Sequence, residues 1–268
     1  EAPEGLAATQ NGTLGTTTYK YRVTAIADET FEESLPALNT TTKTITGATA
    51  ADPVVVTSTS HGFANGDEVA LDGIVGMTEL NRRRFILANV AANTFELKGE
   101  SGTGYTAYSS GGTANLTLAK VTNGNATLSA TDNIAVSWAE ATGAQRYAVY
   151  KDVNGLYGLL GETESLTFTD NGSKTPDLTS GPPRVREPFR GTGNAPGATG
   201  YFEQRRTFGG SDNKPDTADF SRVGDFSNYT FSTPTSADDA IRATLTSHEV
   251  NQVRHFVPLD HLLALTSG

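Results

Sequence analysis

Apolar and polar residues alternate along several segments of the chain. Between 19 and 26 the apolar residues Tyr, Tyr, Val and Ala are separated by Lys, Arg and Thr, and similar alternation occurs in 134–138, 145–150, 155–161 and 166–170. A period of two residues indicates a β-strand with one buried face, because successive side chains of a strand point to opposite sides. The pattern therefore predicts an all-β chain.

The second group of strands contains aromatic residues in a characteristic succession. Trp138 is followed by a Gly-Ala turn at 143–144 and then by Tyr147 and Tyr150, a pattern that resembles the second and third strands of a fibronectin type III domain. The stretch 19–36 resembles the late strand of that family and the turn behind it, although here it comes first in the sequence. The resemblance implies one fibronectin-like β-sandwich of rearranged strand order, formed by 1–47 and 117–180 around an insertion. Two partial sandwiches are the alternative.

The insertion, 48–116, has turns of its own. Asn-Gly at 65–66 and Asp-Gly at 72–73 supply the positive φ angles that tight hairpins need, and strands are predicted at 84–87 and 94–98. This succession resembles the small FCCH β-barrel of ubiquitin-activating enzymes, a module that also recurs in phage structural proteins. The resemblance implies a small inserted β-barrel without the activating chemistry. That chemistry needs a catalytic cysteine, and the chain has none.

The C-terminal part of the chain follows a linker rich in proline and glycine, 181–200. Such a segment is expected to be extended and to make few buried contacts. The successions PGATGYFEQRRTFGG at 196–210 and FSRVGDFSNY at 220–229 resemble the opening of phage tail nozzle or hub proteins. Those proteins extend the portal–adaptor channel of short-tailed phages and help to retain packaged DNA. The resemblance implies that 201–268 is the start of a β-propeller-like domain.

The same resemblance implies what the protein assembles with. It predicts a virion structural protein of the phage tail, assembled in the host cytoplasm, that forms a homo-oligomeric ring. Its expected neighbours are adaptor or portal-side tail proteins and tail fibre or spike proteins, with transient passage of double-stranded DNA during genome ejection. Packing and interface roles are expected for six residues: Tyr201, Phe202, Arg205, Arg206, Arg222 and Phe226.

Charge and cysteine content narrow the function classes. The net charge is −10 and no segment is strongly basic, which disfavours tight binding of DNA or RNA. An acidic protein suits a conduit instead, because it repels phosphate. The absence of cysteine excludes disulfides, thiolate nucleophiles and Cys-ligated zinc and fits a reducing cytosol. No run of about 20 apolar residues occurs, so no membrane span is predicted.

Candidate chemical sites each lack a partner that the chemistry requires. The glycine-rich stretch 191–200 has no lysine of a phosphate-binding loop. Asp238 and Asp239 would point to opposite faces of a strand. The histidines lack the spacing of metal ligands: they are His61, His248, His255 and His261. We therefore expect no catalytic, cofactor-binding or metal site and predict that the protein is not an enzyme.

Two other function classes are open alternatives. A phage tail accessory or adhesin would bind host-surface glycan through aromatic residues expected to be exposed, such as Tyr105, Tyr108 and Tyr157. A cell-wall hydrolase is the third class, although the sequence offers no convincing acid and nucleophile. Glycan binding by the fragment 1–185 would favour the adhesin, whereas ring formation without glycan binding would favour the tail ring.

Overall fold

The chain folds into two compact units, Glu1–Pro182 and Pro183–Gly268. The computed structural model describes residues 1–28, 30, 32–190, 193–246 and 251–267. Within those ranges, no helix is long and apolar enough to cross a membrane.

Antiparallel β-strands supply nearly all of the regular structure. In chain order they are β1 (Ala7–Asn11), β2 (Thr17–Ala27), β3 (Thr42–Thr44), β4 (Gly47–Ala48), β5 (Val55–Thr57), β6 (Glu68–Val75), β7 (Arg83–Ala88), β8 (Thr94–Leu97), β9 (Ser110–Leu116), β10 (Ala119–Gly124), β11 (Asn133–Ser137), β12 (Ala144–Val153), β13 (Leu156–Thr163), β14 (Thr167–Asp170), β15 (Arg184–Val185), β16 (Ala198–Phe202), β17 (Arg205–Gly209), β18 (Thr217–Phe220), β19 (Thr230–Phe231), β20 (Ile241–Thr244), β21 (Val253–Pro258) and β22 (Leu262–Thr266). A single 3-10 turn covers Thr78–Leu80, and the described residues contain no α-helix. The predicted all-β class is confirmed.

A β-sandwich of two antiparallel sheets occupies part of the first unit. One sheet has the strand order β1-β11-β14 and the other β10-β2-β12-β13, so strands from before and after the insertion pair with each other. Their inner faces share one core that includes Leu6, Tyr21, Val23, Ile134, Val136, Trp138, Tyr147 and Val149. The alternation in the sequence therefore predicted both the strands and the side of each that is buried.

The insertion forms a seven-stranded sheet that closes on itself. Its order is β3-β9-β6-β7-β8-β5-β4, so β3 and β4, which are neighbours in sequence, lie at opposite ends of the order. The two residues between them bridge the gap. The N–H of Ile45 donates to the carbonyl of Gly112 on β9, and that of Thr46 donates to the carbonyl of Thr57 on β5. This barrel encloses its own core, with Phe95, Leu71, Leu87 and Met77 among the fully buried side chains.

The two ends of the insertion lie side by side, as an inserted domain requires. The N–H of Asn39 donates to the carbonyl of Leu116 at 2.8 Å, and its side-chain amide donates to the carbonyl of Leu118 at 3.1 Å. Because β3 already begins at Thr42, the boundary predicted between 47 and 48 falls inside the barrel sheet.

The second unit consists of a four-stranded sheet covered on one side by a hairpin. The sheet has the order β16-β17-β18-β20, and β21 and β22 form the hairpin. The core between these layers is small, with Ala198, Ala218, Val253 and Phe256 buried. A Cβ atom built on Gly200 or Gly209 would lie 2.9 Å from atoms of Phe256. Glycine at these two positions therefore lets the phenylalanine pack directly on the sheet.

The segment predicted as a linker, 181–200, contributes structure to the second unit. It contains β15, which pairs with β19, and the start of β16. Phe189 packs edge-on against Phe208 with ring centroids 4.6 Å apart. Residues 191 and 192 lie outside the described part of the chain. The continuation into a β-propeller-like domain stays a prediction.

Candidate interaction surface

The six residues expected at an interface surround the tight turn between β16 and β17. Glu203 and Gln204 form this turn with φ angles of +45° and +59°, the left-handed pair that a two-residue hairpin adopts. In the resulting register Tyr201 lies opposite Arg206 and Phe202 opposite Arg205. Because side chains alternate along a strand, the two pairs point to opposite faces of the sheet.

Arg205 is buried and stabilises the surrounding loops, so it is not part of the exposed surface. Its guanidinium donates to the backbone carbonyls of Ser221, Ala237 and Asp239 at 2.6–2.8 Å. Ser221 directly follows β18, and Ala237 and Asp239 both lie in the loop before β20, so the carbonyls belong to two loops. One arginine therefore holds the loops together beneath the β16–β17 turn.

Asp238 and Asp239 have different surroundings. Asp238 pairs with Arg222 at the surface. The pKa of Asp238 is held below its ordinary value, mainly by a hydrogen bond from the hydroxyl of Ser236 and to a smaller extent by Arg222. Asp239 is buried. Its carboxylate accepts bonds from the N–H and hydroxyl of Ser232 and from the N–H of Ser236. The two carboxylates therefore do not share a pocket, and the buried one stabilises its own turn.

Exposed apolar side chains gather beside this turn. The rings of Tyr201 and Phe226 meet edge to face with centroids 5.2 Å apart, yet Tyr201 remains 55 % exposed and Phe226 45 %. Val223, in the same loop as Phe226, is also exposed. The loop is anchored by a hydrogen bond from the N–H of Gly224 to the carbonyl of Gln204. We call Tyr201, Val223 and Phe226 the tip patch.

Arg206 adds a cationic group to the tip patch. Its guanidinium lies 4.6 Å from the ring centroid of Phe208 and 6.0 Å from that of Tyr201, within the range of cation–π attraction. Within the described residues Arg206 forms no ion pair. Aromatic rings with an adjacent arginine are the composition enriched at protein–protein interfaces.

A second exposed apolar surface lies on the hairpin of β21 and β22. Phe256 and its partner Ala264 face the core. By alternation the neighbouring pairs, His255 with Leu265 and Val257 with Leu263, face outward. Leu263 and Leu265 are 48 % and 42 % exposed, and Leu259 in the turn is 66 % exposed. We call Val257, Leu259, Leu263 and Leu265 the hairpin patch.

The two patches concentrate apolar exposure in the second unit. Of the twelve large apolar side chains exposed among the described residues, eight lie in this unit. Scattered exposed apolar residues are ordinary, but grouped ones mark interaction sites. The sequence resemblance singled out Tyr201 and Phe226, whereas Leu263 and Leu265 were missed, although their alternation with Leu262 and Ala264 was a readable signal.

A buried ionic network joins the barrel to the sandwich in the first unit. Asp67 pairs with Lys20 at 2.7 Å, and Glu68 pairs with Arg22 at 3.0 Å. Three of these side chains are at most 7 % exposed, and Lys20 is 23 % exposed. Glu68 also accepts a hydrogen bond from the hydroxyl of Thr117. Lys20 and Arg22 are on the outer face of β2, so this face, expected to be polar and exposed, is covered by the barrel.

Arg84 lies next to this network without joining its pairs. Burial lowers the pKa of Arg84 to about 10, with Glu68 opposing the shift and Arg22 adding to it. Its Nη1 atom is buried and has no hydrogen-bond partner in the described part of the chain. Among the described residues, the junction therefore holds one arginine that is in an ion pair, Arg22, and one that is not, Arg84.

Comparison with known families bears on the barrel. Residues 52–117 match the family described as the ubiquitin-activating enzyme E1 FCCH domain. The insertion is an FCCH-like β-barrel. This confirms the part of the sequence resemblance that concerned the barrel. No curated protein matches the chain.

Two tyrosines of the FCCH-like barrel, expected to be exposed, are partly buried instead. Tyr105 packs on the barrel core, and its hydroxyl donates to Glu100, which is also held by Arg83 at 2.9 Å. Burial of the Tyr105 hydroxyl, and to a smaller extent its hydrogen bond to the Glu100 carboxylate, raise the pKa of Tyr105. The hydroxyl of Tyr108 donates to the carbonyls of Ile45 and Gly111. The expected exposure was wrong because both rings pack against the barrel core and both hydroxyls are hydrogen-bonded.

Tyr157, expected to be exposed, is partly buried in the sandwich. The guanidinium of Arg22 lies 4.4 Å from its ring centroid, and burial raises the pKa of the hydroxyl.

A cleft of about 450 Å³ beside the barrel is lined by residues that include Arg84, Glu32 and Glu33. The carboxylate of Glu33 accepts bonds from the hydroxyls of Thr24 and Tyr150, so it is part of the hydrogen bonding that stabilises the sandwich.

The three histidines that the structure describes do not form a metal site. His61 is buried in the FCCH-like barrel, where its Nδ1 accepts the N–H of Phe63 at 3.0 Å. His255 and His261 are exposed, and His248 lies outside the described residues. In the ranges that the structure describes, no three His, Asp or Glu side chains are grouped to hold a metal ion.

Proposed function

We propose that this protein is a non-enzymatic structural component of a phage tail that assembles through its C-terminal unit. The assembly would be a ring of identical copies that extends the portal–adaptor channel, helps to retain DNA and then conducts it. The β-propeller-like character of 201–268 belongs to this proposal.

The exposed apolar surface of the second unit carries the proposal. Eight exposed large apolar side chains lie on a unit with a small core, and a small core supplies limited stability on its own. Association would bury the tip patch and the hairpin patch and would stabilise the unit by mass action. The aromatic and arginine composition of the tip patch is that of an interface centre.

Charge supports a conduit. The net charge of the chain is −10, so phosphate groups are repelled over roughly 8–10 Å at ordinary ionic strength. A wall that repels DNA guides it without holding it. The fibronectin-like sandwich and the FCCH-like barrel would contact adaptor or portal-side proteins and tail fibre or spike proteins of the virion.

Electron microscopy of the virion tests this function. A label fused to the chain should appear as a ring of density around the tail axis, below the adaptor. Density confined to the outside of the tail, or none in the particle, would contradict a channel-forming role.

A glycan-binding tail accessory is the second candidate, and the exposed rings of Tyr201 and Phe226 favour it, because aromatic faces also stack on sugars. A glycan array probed with the native chain and with Tyr201→Ser separates the two functions. Binding that is lost in the variant, by a chain that stays monomeric, would favour the accessory.

A further inference from the structure

We propose that the tip patch of one copy docks on the hairpin patch of a second copy, head to tail. This contact would join neighbouring subunits of the proposed ring, and so it rests on the proposed function. The partner is therefore another molecule of this chain, and the two surfaces are different from each other.

The two patches lie on opposite faces of the second unit. A Cβ atom built on Gly200 or Gly209 would point at Phe256 of the hairpin, so this face of β16 and β17 is the one that the hairpin covers. Tyr201 follows Gly200 directly, so its side chain points to the other face of the sheet. The hairpin covers the first face and presents Leu263 and Leu265 on its outer side. One apolar surface is therefore on each side of this two-layer unit.

This placement suits a head-to-tail contact. A two-fold dimer joins the same patch on both subunits, whereas a ring needs two different patches that fit each other. When one patch of a copy has docked on a neighbour, the patch on its opposite face is still exposed. Each copy can then accept a neighbour on both sides.

Charge favours a second copy as the occupant. The residues 183–268 carry nine lysines and arginines against ten aspartates and glutamates, whereas 1–182 carry 11 against 20. Repulsion between copies is therefore weakest where C-terminal units meet.

Each patch also offers one member of an ion pair. Arg206 beside the tip patch and Asp260 beside Leu259 form no ion pair with any described residue, and Asp260 is exposed. Arg206 of one copy would face Asp260 of the next, with Tyr201 and Phe226 packed on Leu263 and Leu265.

Two complementary variants test the contact by sedimentation velocity on the full chain. The tip variant combines Tyr201→Ser with Phe226→Ser, and the hairpin variant combines Leu263→Thr with Leu265→Thr. Leu14→Ser, at a residue 62 % exposed in the first unit, is the matched control. All four substituted side chains are at least 42 % exposed, so thermal unfolding should match that of the native chain when both are measured at a protein concentration too low for association.

The head-to-tail contact has a distinctive outcome. The native chain and the Leu14 control should form oligomers, and each double variant alone should be monomeric. An equimolar mixture of the two should form a 1:1 dimer that does not grow, since one intact tip meets one intact hairpin. In the same assay Arg206→Asp should weaken association at least tenfold, and adding Asp260→Arg in the same chain should restore it.

Other outcomes overturn the contact. A hairpin variant that still assembles, or a mixture that stays monomeric while the native chain assembles, would contradict it and leave the proposed function intact. A native chain that is monomeric at every concentration would contradict both the contact and the proposed function.

Discussion

At the scale of single residues, buried polar side chains stabilise loops that the apolar core is too small to hold. Arg205 and Asp239 together contact the backbone at Ser221, Ser232 and Ser236 and neighbouring positions. Because side chains alternate along β17, Arg205 and Arg206 lie on different faces. Alternation could not show that Arg205 would find three carbonyls, because those carbonyls come from loops distant in sequence.

Replacing Arg205 should destabilise the second unit. Arg205→Met leaves three carbonyls without their donor and should lower the free energy of unfolding by about 3 kcal/mol, since a hydrogen bond to a charged group contributes roughly 1.5–3 kcal/mol. Arg205→Lys should recover part of this loss, because lysine keeps the charge but lacks the planar fork. Urea denaturation measures both. Arg254→Met, at an exposed arginine of the same unit, is the control, and an equal loss there would contradict this role.

Tyr229 gives the second unit a pH dependence at high pH. Its hydroxyl is buried without a partner in the described part of the chain, and desolvation raises its pKa to about 12. A raised pKa means that the fold favours the neutral phenol. The resulting stability is present below pH 10, the ordinary tyrosine value, and is lost as pH rises towards 12. Absorbance titration at alkaline pH should show a late-ionising tyrosine that Tyr229→Phe removes; an unchanged titration would contradict it.

At the scale of elements, alternation predicted strands well and their surroundings poorly. The segments 134–138 and 145–150 lie within or next to β11 and β12, with the expected residues buried. The polar face of β2 was expected to be exposed but is covered by the barrel. A strand pattern reports which residues share a face, and it does not report whether an inserted domain packs on that face.

The ionic network at β2 should fix the barrel to the sandwich. Breaking a buried pair from one side costs about 3–5 kcal/mol, because the other charge stays buried. Arg22→Met and Glu68→Gln should each lower the free energy of unfolding of the first unit by that order, and the double variant by less than their sum. Chemical denaturation of the four proteins gives this coupling.

The partly exposed pair of Arg146 and Glu162 serves as the control cycle. Its coupling should be below about 1 kcal/mol, as for exposed ion pairs. Equal coupling in the two cycles would contradict a special role for the buried network.

At the scale of the whole molecule, buried cores and exposed apolar side chains are unequally divided between the two units. The first unit has two well-developed cores and holds most of the net charge, whereas the second has a small core and most of the exposed apolar side chains. The sequence resemblance located the tip patch through Tyr201 and Phe226. The hairpin patch was missed although the alternation of Leu263 and Leu265 is present in the sequence, and the register of β21 and β22 shows that these leucines face outward.

Hydrogen exchange at increasing protein concentration tests the assembly role most directly. As copies associate, amides in 199–206, 222–229 and 253–266 should become more protected, because these segments carry the two patches. Exchange in β1, β2 and the barrel should not change. Protection that appears only in the first unit, or exchange that is independent of concentration throughout, would contradict an assembly surface on the C-terminal unit.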